Sequence, residues 1–120
     1  MNSYTGGMDY DLEDFVPFDA EANGATSVSN DLETMVRIDF DGEGCMGGIF
    51  RQVHGSAEIE WPATEHAFVL EGSVSITYHS TGDTIDYARG DGWIIKKGER
   101  VTWSVTSPHF AKSFFNRPGA

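Results

Sequence analysis

Residues 65–98 read EHAFVLEGSVSITYHSTGDTIDYARGDGWIIKKG, and the punctuation of this stretch decides the fold. Four apolar or alternating runs, His66–Leu70, Ser73–Tyr78, Thr84–Ala88 and Trp93–Ile95, are each closed by a turn signal. The signals are Glu71-Gly72, Thr81-Gly82-Asp83, Arg89-Gly90-Asp91-Gly92 and Lys97-Gly98-Glu99. Glycine reaches backbone angles closed to other residues, and Asp and Thr bond to their own backbone, so each run reads as a short strand followed by a reversal.

The same rhythm continues on both sides. Upstream, Met35, Arg37 and Asp39 alternate with Val36, Ile38 and Phe40 until Asp41-Gly42-Glu43-Gly44 stops the run. Gly48–Val53 and Ala57–Trp61 follow, divided by a turn signal at Gly55-Ser56 and closed by Pro62. Downstream, Val101–Val105 and Ala111–Phe115 flank a turn signal at Ser107-Pro108. No window of about ten residues holds the helical period of 3.6. Short strands at regular spacing predict an all-β sandwich or closed barrel.

A chain of 120 residues, 39% apolar and 12% aromatic, has room for one core. Charge divides it unevenly. Residues 1–43 carry eleven acids and one base, Arg37, whereas residues 44–120 carry eight acids and seven bases, which accounts for the net charge of −11. We read residues 1–31 as an acidic N-terminal arm and residues 32–120 as the barrel domain. The arm has one apolar docking point, Phe15-Val16-Pro17-Phe18, suited to covering an exposed sheet edge. An acidic surface with no basic cluster repels phosphate backbones and anionic headgroups, so neither nucleic acid nor membrane is an expected partner. The single Cys45 excludes an internal disulfide, and it has no histidine at a motif-like spacing. The start lacks the basic and apolar regions of a signal peptide, and no apolar run reaches transmembrane length; a cytoplasmic location is the expectation.

Two stretches carry a family resemblance. In Glu65…Leu70-Glu71-Gly72 a Glu precedes a turn-forming Gly by seven positions, as at the end of the first cupin motif. Gly90-Asp91, followed by Ile94-Ile95-Lys96-Lys97-Gly98, resembles the opening of the second motif. With Trp103 and the segment from Pro108 to Lys112, the chain from Gly48 to Phe115 is similar to the cupin superfamily. Within it, the likeness is to the small DUF861 or Cupin_3-like group that includes the cupin domain of (S)-ureidoglycine aminohydrolase. The resemblance implies a single-domain double-stranded β-helix, the jelly-roll barrel, and a homodimer formed through its sheets.

The departures from that pattern bear on chemistry. Metal-binding cupins carry His-x-His and then Glu in the first motif and a further His after the second. Here the last position is Val101. Counting back from Glu65, the first two histidine positions fall on Ile59 and Trp61 in one register and on Glu58 and Glu60 in the other. A slip of one residue exchanges the two faces of a strand. Three inward glutamates would need a cation to neutralise them, whereas inward Ile59 and Trp61 need none, and the apolar register is the one we expect. The aminohydrolase binds manganese through Glu, two His and Gln; here Glu65 stands at a histidine position, Ile59 and Trp61 at two others, and no counterpart of the Gln is placed.

These readings single out Glu65 as the candidate catalytic residue. A carboxylate in an apolar barrel could carry a proton, or it could serve structurally by capping the turn or pairing with Arg51. Phe50, Ile59, Trp61, Val101 and Trp103 are the candidate ligand-binding residues, with plain core packing as the alternative. His54, His66, His79 and His109 are too scattered for a metal site. Lys112 could reach into the pocket or pair with Glu65, although a solvated lysine is the default. The expected function is metal-free, cofactor-free binding of a small organic metabolite, with proton transfer at Glu65 as the added chemistry. One alternative is a manganese-type hydrolase or oxygenase using Glu58, Glu60 and Glu65; another is a non-catalytic assembly domain.

Overall fold

In the computed structural model, which describes residues 14–29 and 32–117, the alternating runs become strands of one antiparallel system. They are β1 (Val16–Pro17), β2 (Ala25–Thr26), β3 (Thr34–Gly42), β4 (Cys45–Glu60), β5 (Thr64–Glu71), β6 (Ser73–Tyr78), β7 (Thr84–Ala88), β8 (Gly92–Ile95) and β9 (Arg100–Arg117). A 3₁₀ turn at Glu21–Asn23 separates β1 from β2. No helix among the described residues is long and apolar enough to cross a membrane.

Two long strands, β4 and β9, build the barrel by serving both of its sheets. The first half of β4 pairs with β3 and with the end of β9, which continues to β5 and β8. The second half of β4 pairs with β2 and with the start of β9, which continues to β6 and β7. The switch occurs where the ladder jumps from Val53↔His109 to Gly55↔Val105. A bulge of this kind bends a strand and increases its twist, which lets it leave one sheet and enter the other.

Gly55-Ser56 and Ser107-Pro108 are therefore bends within continuous strands, not the reversals expected from their composition. Pro108 lies between the paired residues Val105 and His109, where its missing N–H costs no ladder bond. At Gly55 a Cβ would stand 2.7 Å from Ser29 Oγ and 2.8 Å from Leu32 Cβ, so the close approach of the N-terminal segment requires glycine. The Glu71-Gly72 signal, by contrast, is a true reversal. Gly72 has φ of +74°, and a Cβ there would collide with the carbonyl of His109.

The core fills one end of the barrel. Val74, Ile76, Val101, Val105 and Phe110 are fully buried, and Trp103 nearly so, packing edge-on to Trp93 and Phe110. At the other end the segment before β3 folds over the opening. Val16 and Pro17 extend the sheet by pairing with Val36 and Met35, and Phe18 meets the Phe50 ring edge-on at 5.5 Å. Residues 1–13, 30 and 31 of the expected arm lie outside the described residues.

Candidate functional site

The register question is settled by the ladder between β4 and β9. Ile59 pairs with Val101 and Glu58 with Thr102, and the side chains of Glu58 and Glu60 point outward. Glu58 accepts a hydrogen bond from Thr102 and lies 3.2 Å from His79 Nε2, while Glu60 meets Arg100 at 3.3 Å on the surface. Trp61 is buried, Ile59 is half-buried, and both face the interior. The carboxylate-rich site of Glu58, Glu60 and Glu65 is thus not assembled. Among the described residues no three His, Cys, Asp or Glu side chains gather as a metal site would require. The positions that hold metal ligands in metal-binding cupins are occupied here by Ile59, Trp61, Glu65 and Val101, a set that does not fit a metal.

The interior holds a cation supplied by the chain itself. Lys112, at 4% exposure, extends from β9 and places Nζ 2.9 Å from each carboxylate oxygen of Glu65 on β5. The ammonium lies 4.7 Å from the centre of the Phe50 ring, 5.1 Å from Trp103, 5.3 Å from Trp61 and 5.6 Å from Trp93. Aromatic faces carry partial negative charge, so four of them and one carboxylate replace the hydration that Lys112 loses. Trp93 Nε1 donates to Glu65 Oε1 at 2.9 Å, which fixes the carboxylate from its other side. Burial pulls the Lys112 amine below the ordinary lysine value, and the attraction of Glu65 only partly opposes this.

A second polar chain stands beside the first. Trp103 Nε1 donates to Gln52 Oε1 at 2.6 Å, and Gln52 Nε2 donates to Thr34 Oγ1 at 2.9 Å. Gln52 is buried, and its amide is satisfied at both ends. Sequence reasoning missed Gln52 and took Lys112 as solvated, yet alternation carried the signal. Gln52 shares a strand face with Phe50, and Lys112 shares one with the buried Phe110 and Phe114.

Above these groups lies a cavity of about 380 Å³. Phe18, Leu32, Val36, Met46, Phe50, Ile59, Trp61 and Phe114 form most of its wall, with Asn23, Gln52, Glu65, Lys112 and Asn116 as polar points. Asn116 sits across the ladder from Glu65, and its Oδ1 is buried without a hydrogen-bond partner among the described residues. Of the expected ligand-binding residues, Phe50, Ile59, Trp61 and Trp103 line this cavity. Val101 does not, because it lies in the solid end of the core, fully buried beside Trp103 and Tyr78. Arg51, suggested as a partner of Glu65, points to the outer face, where it meets Glu71 at 4.0 Å and the Phe15 ring.

Residues 43–114 match the EutQ-like cupin domain, Cupin_3, over more than half of the chain. The chain belongs to the EutQ-like cupin family. No curated protein matches it, and the family match is to the EutQ-like domain rather than to the aminohydrolase.

Solved structures of other EutQ-like and DUF861 cupins show the same fold at low identity. The Clostridium difficile EutQ protein superposes with a TM-score of 0.65 at 15% identity, covering 75% of this chain and 66% of its own. A putative ethanolamine utilization protein Q from Salmonella typhimurium gives 0.64 at 16% identity, covering 88% and 95%. A DUF861 protein of unknown function from Pseudomonas syringae gives 0.69 at 14% identity, covering 88% and 45%. This chain therefore spans about half of the Pseudomonas protein and 66% of the Clostridium EutQ.

Proposed function

We propose that this EutQ-like cupin binds a small organic molecule in its barrel without a metal, using the Lys112–Glu65 pair as the polar anchor. The observation that carries the reading is the position of the Lys112 ammonium, enclosed by Phe50, Trp61, Trp93 and Trp103 and held by Glu65. A resident cation in the barrel removes both the room and the charge balance for a metal. Next to it, a mostly apolar cavity of about 380 Å³ is within the size range of small-molecule sites. Glu65 touches the cavity and a proton donor at once, which suits it to move a proton to or from a bound molecule.

The test is a thermal-shift screen with a library of small metabolites, followed by calorimetry. A true ligand at about a hundred times its dissociation constant stabilises the fold by about 2.7 kcal/mol. Ile59→Trp, which fills the cavity from a half-buried position, should abolish the shift while leaving the fold intact. Unchanged binding in that variant removes the cavity from the reading.

A second reading, assembly, is favoured by one surface feature. Phe40, Phe68, Ile94 and Phe115 are each 48% or more exposed on the outer face of the β3-β4-β9-β5-β8 sheet. Cross-strand pairing joins most of them through Gly47 and His66 into a row: Phe40↔Gly47, Gly47↔Phe115, Phe115↔His66, His66↔Ile94. A homodimer through this face is compatible with ligand binding inside the barrel.

A further inference from the structure

The charge balance at the cavity floor restricts what can bind there. Lys112 and Glu65 are both buried and neutralise each other, and no other charged side chain lines the cavity among the described residues. A carboxylate or phosphate ligand would set a second anion beside Glu65 with one cation to share, and an amine would set a second cation beside Lys112. Either leaves an uncompensated charge in a poorly solvated space. A neutral molecule with an apolar body and one polar atom meets neither penalty.

Lys112 adds reactivity to that selection. Lys112 lines the cavity, and its Nζ is paired at 2.9 Å with a carboxylate able to take its proton and return it. Trp93 and the aromatic enclosure hold the pair in place, so amine and proton carrier are already aligned.

Resting on the reading of the cavity as a small-molecule site, we propose that its ligand is an apolar aldehyde and that Lys112 condenses with the carbonyl to form an imine, with Glu65 as proton carrier. Nζ passes a proton to the Glu65 carboxylate, and the freed lone pair forms the C–N bond as the carbonyl π pair moves onto oxygen. That oxygen takes the proton from Glu65, giving a carbinolamine. A second proton then moves from nitrogen to Glu65. The nitrogen lone pair expels the hydroxyl, which leaves as water with the proton that Glu65 returns.

The sum is ammonium plus aldehyde giving iminium plus water, with one positive charge on each side. The iminium remains beside the Glu65 carboxylate and inside the same aromatic enclosure, so the product keeps the stabilisation of the resting ammonium. Asn116 Oδ1, buried and unpartnered across from Glu65, offers an acceptor in the same cavity for the hydroxyl formed on the way.

The chain contains its own controls, because its other lysines, Lys96 and Lys97, are exposed on the turn after β8. The full chain is incubated at neutral pH with benzaldehyde and sodium cyanoborohydride, and the benzylated positions are mapped by mass spectrometry. In parallel, calorimetry measures binding of benzyl alcohol, which has the same ring but cannot condense. The expected result is benzylation of Lys112 roughly tenfold or more faster than of Lys96 and Lys97, reversed in urea. Glu65→Gln should slow Lys112 labelling by about tenfold or more, measured against Lys96 and Lys97 of the same variant as internal references.

Labelling confined to Lys96, Lys97 and the α-amino group overturns the imine in every case. If benzyl alcohol binds in that case, the cavity reading stands and the imine alone falls. If it does not, both fall together for this class of molecule.

Discussion

Lys112 and Glu65 are each tolerable only because the other is present. Both are buried, and each would be left as an uncompensated charge without its partner. Lys112→Met should therefore cost about 3–5 kcal/mol in urea denaturation, and adding Glu65→Leu should restore most of that loss. The same pair gives stability a pH dependence. In the unfolded chain Lys112 titrates at the ordinary 10.5, while burial lowers its value in the fold. Between the two values the unfolded chain holds the extra proton, so stability rises with pH across that window, and the contribution is lost as pH falls through the folded value. Tyr78 acts in the opposite sense, because burial and its hydrogen bond with Tyr87 raise the phenol above its ordinary 10.0, but this matters only once the unfolded phenol ionises. As pH rises from the folded value of Lys112 toward the ordinary 10.5, the urea midpoint of the wild type should climb relative to that of the Lys112→Met, Glu65→Leu variant. Sequence alone named Glu65, Trp61 and Trp103, since their positions are fixed by a nearby turn and by alternation. It did not identify Lys112 as buried, because burial of a lysine is decided by partners on β4 and β5 that lie far away in the chain.

At the scale of elements, every expected strand run falls within a strand except that Ala57–Trp61 runs one residue past the end of β4 at Glu60, and the two misread turns share a cause. Gly55-Ser56 and Ser107-Pro108 have turn composition, but they face each other across β4 and β9, where the pair of strands passes from one sheet to the other. Composition reports that the backbone departs from a regular strand; whether it reverses or bends depends on the neighbouring strand, which local sequence does not contain. Gly72 is the opposite case, a turn fully determined by its own position. Its φ of +74° and the His109 carbonyl against its α-carbon leave no room for a side chain. Gly72→Ala should cost about 1–3 kcal/mol by urea denaturation, and a cost within error would mean that the β5–β6 reversal relaxes freely.

At the scale of the molecule, inside and outside present different apolar surfaces: one is a cavity with a single ion pair, the other an open row of aromatic rings. On the outer face Gly47 makes space for Phe115, since a Cβ there would stand 2.9 Å from its ring. An exposed row of this kind marks an interaction surface. Phe115→Asp should halve the mass measured by light scattering if copies of the chain pair through this face, and an unchanged mass would exclude the row as the contact. The interior offers a different opportunity. All three tryptophans of the protein, Trp61, Trp93 and Trp103, have their rings within 6 Å of the Lys112 ammonium. Indole emission responds to nearby charge and to the entry or loss of water. The unlabelled protein therefore has a built-in optical gauge, whose whole indole signal originates at the cavity floor and would follow occupancy or proton movement there in real time.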